Sequence, residues 1–268
     1  MNTRLQKKNN ISIEGNLNAP ETLVFAHGFG TDQTAWKWVK EAFTADYRLV
    51  LYDNVGGGNS DPAAYSPKKY NNLSPYADDM LAIFEDLDLA GSTMIAHSVS
   101  SMITLLAANK KPDYFKKMVF VGASPRYLND DAVGYTGGFT QPALDGMYDA
   151  MTTNYYAWVS GFSEAAMGNP DKPELGEHFA QTLSAIRPDI ALAVAKVIFE
   201  SDVRSELSKL HKEILLLQTL NDIAVPTEVA QYLNQHIEGS KLEFLDATGH
   251  FPHISAPNEV IKQLKAFI

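Results

Sequence analysis

Seven short runs of apolar and β-branched residues, with helix-patterned segments between most of them, constrain the fold more than any other feature. They fall at residues 11–14, 23–26, 48–52, 93–96, 118–121, 214–217 and 242–245. Most are nearly continuous in apolar character rather than alternating, as expected of central parallel strands covered on both faces. Between them lie stretches of helical spacing. Met80, Ile83, Phe84 and Leu87 share one face of a segment over 76–87, and a small, apolar segment covers 102–108. Val260, Ile261, Leu264 and Ile268 mark a last amphipathic helix. Strand and helix in alternation predict a doubly wound α/β fold, a mostly parallel twisted sheet flanked by helices. A chain of 268 residues that is 45% hydrophobic suits one large domain of this kind.

The rhythm breaks once. From 125 to 201 no strand is evident, and the pattern is helical and rich in aromatics, among them Tyr127, Phe139, Tyr148, Trp158, Phe162, Phe179 and Phe199. This stretch follows the strand that ends near Val121, so we read 125–201 as a helical lid inserted into a core formed by 1–124 and 202–268. Some of its aromatics fill its own core, and others line the cavity it covers.

Composition narrows the function classes. The net charge of −10 argues against non-specific nucleic-acid binding, which needs a basic face. No apolar run approaches the roughly 20 residues needed to span a bilayer. The basic N-terminus has no apolar stretch behind it, which argues against a secretory signal. The absence of cysteine rules out disulfides and thiolate chemistry, and fits a cytoplasmic protein.

Three segments carry chemistry. Ser98, in Ala96-His97-Ser98-Val99-Ser100, sits between an apolar strand and a helix that begins near Val99. Such a turn lifts a serine hydroxyl above the sheet at a helix N-terminus. The usual pattern is G-x-S-x-G, and here both glycines are replaced by other small residues, Ala96 and Ser100. Asp222 lies just past the 214–217 run, and His250 follows the last run after Gly249. Serine, acid and histidine thus occur in the chain order typical of α/β-hydrolases. The chemistry needs all three, because a neutral hydroxyl is a weak nucleophile until a histidine, oriented by a carboxylate, takes its proton. Rivals exist: His253 for the base, and Asp53 or Asp246 for the acid. His97, His178, His211 and His236 form no metal-ligand set, so no metal or other cofactor is expected.

His27-Gly28-Phe29-Gly30 directly follows an apolar strand and resembles a turn that gives one main-chain N–H to an oxyanion hole. The two donors expected are the amides of Phe29 and Val99. The turn Asp53-Asn54-Val55-Gly56-Gly57-Gly58-Asn59-Ser60 is read as structural. It lacks both the full G-x-G-x-x-G spacing and a Walker lysine.

These segments, together with Ser124-Pro125-Arg126-Tyr127-Leu128-Asn129-Asp130, Gly137-Gly138-Phe139, Asn154-Tyr155 and Arg187-Pro188-Asp189-Ile190-Ala191, make the chain resemble the RsbQ-like α/β-hydrolases. That family includes the bacterial stress regulator RsbQ and the plant karrikin and strigolactone receptors. The resemblance covers nearly the whole chain, lid included. Val99-Ser100 looks like the plant receptors, while Ala96 departs from the glycine that both branches usually carry. The resemblance implies Ser98, Asp222 and His250 as the triad. It implies a pocket lined by Phe29, Tyr127, Phe139, Met147, Trp158, Phe162, Phe179, Phe199 and Ile223. So apolar a lining implies a small hydrophobic ester or lactone as ligand.

Two functions are expected from this. One is a serine esterase acting on a small apolar ester or butenolide-like lactone. The other is a ligand-binding signalling protein with a protein partner and slow hydrolysis, whose lid presents a ligand-dependent surface. A third, acyl transfer or carbon–carbon bond hydrolysis on the same site, is not excluded by fold alone. Dehalogenase chemistry is disfavoured, since it needs an aspartate where Ser98 stands.

Overall fold

The computed structural model describes residues 2–268. All seven apolar runs are strands: β1 Ser12–Gly15, β2 Thr22–Ala26, β3 Arg48–Tyr52, β4 Ser92–His97, β5 Phe115–Val121, β6 Glu213–Asn221 and β7 Lys241–Thr248. They form one sheet in the order β1-β3-β2-β4-β5-β6-β7. Only β1 is antiparallel to its neighbour, and every other pairing is parallel.

Strand periodicity divides the apolar residues between two faces. Val24, Val50, Met94, Met118, Phe120 and Leu216 belong to one core layer. Leu23, Phe25, Leu49, Ile95, Val119 and Leu215 belong to the other. The first layer is covered by the Ser74–Asp86 and Val99–Lys110 helices. The second is covered by Trp36, Val39 and Phe43 and by Val260, Leu264 and Phe267 of the Pro257–Phe267 helix. Because both faces are covered, β4 is buried along its whole length, which is why its sequence does not alternate.

From β2 the chain moves outward to β3, then crosses back to place β4 on the other side of β2. Loops leaving β2 and β4 therefore diverge above the sheet, and open α/β sheets bind ligands in such a crevice. His27-Gly28-Phe29-Gly30 and Ser98 occupy it.

Between β5 and β6 the chain inserts four helices, Gln141–Thr153, Tyr155–Met167, Pro173–Ser184 and Pro188–Phe199. Extended pairing in 125–201 is limited to isolated bridges. The entering and leaving segments run side by side. Arg126 bridges Asp202, and the Val203 N–H donates to the Pro125 carbonyl at 2.9 Å. Arg126 and Arg204 both pair with Asp202, and Arg204 also reaches Asp130. Among the described residues no helix is long and apolar enough to cross a membrane.

Candidate active site

β4 and its helix force Ser98 into an unusual backbone conformation. Its φ of 55° and ψ of −125° lie where non-glycine residues rarely stay, at a cost of about 1–3 kcal/mol. The position is over-determined. The Ser98 N–H donates to the Val121 carbonyl at 2.8 Å, and the helix begins at the next residue. No chain atom can follow the strand direction at this point, so the hydroxyl is thrust above the sheet.

Three loops converge there. Ser98 Oγ lies 2.9 Å from His250 Nε2, and His250 Nδ1 lies 2.7 Å from Asp222 Oδ2. Asp222 is closed off from solvent, with its side chain 1% exposed. Its Oδ1 accepts from the N–H groups of Ala224 (2.8 Å) and Val225 (3.1 Å), and Gln218 Nε2 donates to Oδ2 at 3.2 Å. A carboxylate held by so many donors stays an acceptor. It therefore draws the imidazole proton to Nδ1 and leaves the Nε2 lone pair facing the Ser98 hydroxyl.

The histidine loop is held on every side. Gly249 has φ 82°, and a Cβ there would stand 1.9 Å from the Met167 carbonyl oxygen, so only glycine fits. The Gly249 N–H donates to Asn221 O (2.7 Å) and the His250 N–H to Ala166 O (2.8 Å). His97 Nε2 faces the His250 carbonyl at 2.8 Å and must be its donor, since a carbonyl only accepts.

The rivals fall elsewhere. His253 is fully buried and stacked on Trp36 at 4.4 Å, with neither ring nitrogen hydrogen-bonded. Burial pushes its pKa down to about 3, and it makes no hydrogen bond to Ser98. Asp53 is fully buried and accepts from the Gln33 and Asn59 N–H groups and from Asn10 Nδ2, all at 2.8 Å, which braces its turn. Asp246 is exposed on the last strand. Among the candidate acids and bases, His250 is the one hydrogen-bonded to Ser98, and Asp222 the one hydrogen-bonded to His250.

Phe29 and Val99 flank the serine from two loops. A Cβ on Gly28 would lie 2.4 Å from His97 Nδ1 and 3.0 Å from Ser98 Cβ, so glycine is what lets the β2 turn approach the nucleophile loop. Val99 is the first residue of its helix, and its N–H has no intrahelical acceptor.

The expected pocket residues divide. Tyr127 reaches the serine, with its hydroxyl 3.3 Å from Ser98 Oγ, and burial pushes that hydroxyl's pKa up so that it keeps its proton. Its ring packs edge-on against Phe199 (5.0 Å), which in turn packs against Phe139 (5.3 Å). Trp158 stacks on Phe162 at 4.9 Å, and Phe179 packs against Phe251 at 4.4 Å. Met147 is partly buried against the same core. Ile223 departs from expectation. It is 52% exposed, on a turn where Asp222 Oδ1 holds the Ala224 and Val225 N–H groups and those two side chains are buried.

A narrow cavity lies beside this cluster, on the side of Phe29 and Val99. The centre of a water-sized sphere can move through about 30 Å³ of it. Phe29 and Val99 border it, together with Tyr76, Ile186, Val194 and Ile198. The last four were not legible as lining residues. Val194 and Ile198 sit four apart on one helix face, and that spacing is the sequence signal that could have found them.

Comparison with known proteins agrees with this architecture. A family profile for the alpha/beta hydrolase fold matches residues 21–257. A strigolactone esterase from Pisum sativum is 41% identical over 99% of this chain and 98% of its own length. A karrikin insensitive 2 receptor from Petunia hybrida is 40% identical over 97% of this chain and 95% of its own. Among solved structures, a hydrolase from Oleispira antarctica superposes with a TM-score of 0.94 at 32% identity, covering 98% of this chain and 95% of that one. The chain belongs to the α/β-hydrolase family, in the RsbQ-like group that contains these plant esterases and receptors.

Proposed function

We propose that the protein is a serine hydrolase of small hydrophobic carboxylic esters or lactones, with Ser98, His250 and Asp222 as its triad. The observation that carries this reading is the unbroken hydrogen-bond chain from Ser98 Oγ through His250 to Asp222. Ser98 Oγ gives its proton to His250 Nε2 and attacks the carbonyl carbon. The oxyanion accepts hydrogen bonds from the Phe29 and Val99 amides. His250 then passes the proton to the departing alkoxide, which in a lactone stays tethered to the acyl group. A water loses a proton to His250 and attacks the acyl carbon; the bond to Ser98 Oγ breaks as His250 returns that proton to it, which releases the acid and restores the triad. The largely apolar walls and the names of the relatives favour a compact, butenolide-like lactone or short-chain ester.

A second reading is a ligand receptor with slow turnover. It is favoured by the likeness to a karrikin receptor and by the 125–201 insertion, which would act as the lid that carries a ligand-dependent surface to a protein partner.

Hydrolysis of a p-nitrophenyl short-chain ester and a fluorogenic butenolide, in wild type beside Ser98→Ala, tests both. The substitution is expected to lower kcat by about 10³-fold or more. Activity that survives in Ser98→Ala would sink the triad. A single burst in wild type followed by near-silence would favour the receptor.

A further inference from the structure

Ser100 stands where the usual serine-elbow pattern has glycine, and its hydroxyl is fully buried. It is not a passive substitute. Ser100 Oγ donates to the His27 carbonyl at 2.5 Å and accepts from Asn54 Nδ2 at 3.0 Å. The Asn54 amide also donates to the His27 carbonyl, at 3.2 Å, which fixes the nitrogen of that amide toward the pair. Ser100 rides on the helix whose first N–H belongs to Val99. His27 directly follows β2 and leads into Phe29. This polar cluster therefore joins the two loops that carry the oxyanion amides.

His27 extends the connection. The Asn54 N–H donates to His27 Nε2 at 2.9 Å, which leaves the ring proton on Nδ1. Nδ1–H in turn points at the Gly28 carbonyl, at 2.8 Å. Thr31 adds its hydroxyl (3.1 Å) and its N–H (3.4 Å) to the same oxygen. In a trans peptide the carbonyl and the following N–H point in opposite directions. Three donors on the Gly28 oxygen therefore aim the Phe29 N–H away from them, toward the crevice.

We propose that Ser100 is a positioning residue: with Asn54 and His27 it forms a buried strut that sets the spacing and aim of the Phe29 and Val99 amides around the oxyanion. The inference rests on the serine-hydrolase reading above. Without the hydroxyl, the His27 carbonyl keeps only the longer Asn54 bond, and the two loops lose their shared fixed point. Misplacement of such donors by an ångström costs about a hundredfold in rate.

The test compares wild type, Ser100→Ala and Asn54→Ala on a p-nitrophenyl ester and on an aryl trifluoromethyl ketone. Ser98 Oγ adds to the ketone carbon while His250 takes the proton, so the adduct places an oxyanion against the two amides. Titration with a fluorophosphonate counts the reactive Ser98, so that all values refer to folded enzyme. We expect each substitution to lower kcat by about 10–100-fold with KM within about 3-fold, and to weaken the ketone by the same factor as kcat/KM. The double variant should be little worse than either single one, as expected of residues sharing one strut. If Ser100→Ala lowers the melting temperature but keeps kcat and ketone affinity per active site within 3-fold, the hydroxyl is structural only and the proposal falls. A kcat loss without a matching loss of ketone affinity also overturns it. Failure of the underlying reading appears separately, as a wild type that neither hydrolyses the ester nor binds the ketone at Ser98.

Discussion

The rim of loops above the sheet and the four-helix insertion over it are built on opposite principles. In the rim, main-chain polar groups are tied one by one. Ser98 N–H is bound to Val121, Gly249 N–H to Asn221, and the His250 carbonyl to His97. In the insertion, aromatic rings pack on one another (Tyr127 with Phe199, Trp158 with Phe162) and directional bonds to the rim are few. The most direct of these are His250 N–H to Ala166 O and Thr182 Oγ1 to Gly30 O, at 2.8 Å each. Hydrogen bonds fix position to tenths of an ångström, as proton transfer demands, whereas ring packing fixes volume and tolerates exchange. On the proposed function, chemistry is held by the rim, and the choice of ligand falls to the insertion and the cavity beside Phe29 and Val99.

The sharpest way to break this division is at Gly249, where the rim and the insertion press closest. Gly249→Ala drives a Cβ into the Met167 carbonyl and puts an alanine at φ 82°. The rim histidine and the end of the Tyr155–Met167 helix should be displaced together. Denaturant melts are expected to show a loss of at least about 2 kcal/mol, and hydrolysis per folded molecule should fall on the order of a hundredfold. A stable variant with intact turnover would mean that the insertion moves independently of the base.

A change confined to low pH, with hydrolysis at neutral pH left alone, tests the rim's neutral histidines. Burial pushes the pKa of His253 down to about 3 and that of His97 well below its usual value. An unfolded chain takes up a proton on each near pH 6.5, and the folded protein does not. Each histidine's contribution is therefore fully present above pH 6.5 and is lost as pH falls, by about 1.4 kcal/mol per pH unit, down to the folded pKa. For His253 that window runs from about 6.5 to about 3. His253→Phe keeps the stack on Trp36 and should remove one of the two slopes when melting is followed between pH 4 and 7. An unchanged acid limb would show that His253 is already protonated in the fold.

The smallest expected change is at Ile223, between the two regions. Being half exposed, Ile223→Ser should alter stability by less than about 0.5 kcal/mol, and ester hydrolysis should stay within about 2-fold of wild type. A large rise in KM would instead show that the side chain turns inward over bound ligand, which would sharpen the insertion's part in selection.

The central strands were legible because a strand buried on both faces must be nearly apolar throughout, as β2 and β4 are. Ser98, Asp222 and His250 were legible because their chemistry demands those residue types at strand ends, in one chain order. The preference for His250 over His253 rests in the sequence only on the preceding glycine and the strand end, and what enforces it is not local. Three residues apart in sequence, they differ only in where the turn after Gly249 sends them, and that turn is set by carbonyls from a helix more than 80 residues earlier. The same holds for Ser100, which reads as a tolerated small residue until β2 and the Asn54 turn are brought beside it. The family resemblance implies Ile223 as a pocket residue, yet on the Asp222 turn it stands half exposed. Residue type and periodicity are local properties, and the chain states them directly. Which hydrogen-bonding group meets which, and on which side of a turn a side chain leaves, depends on partners far away in sequence, so only the folded structure decides them.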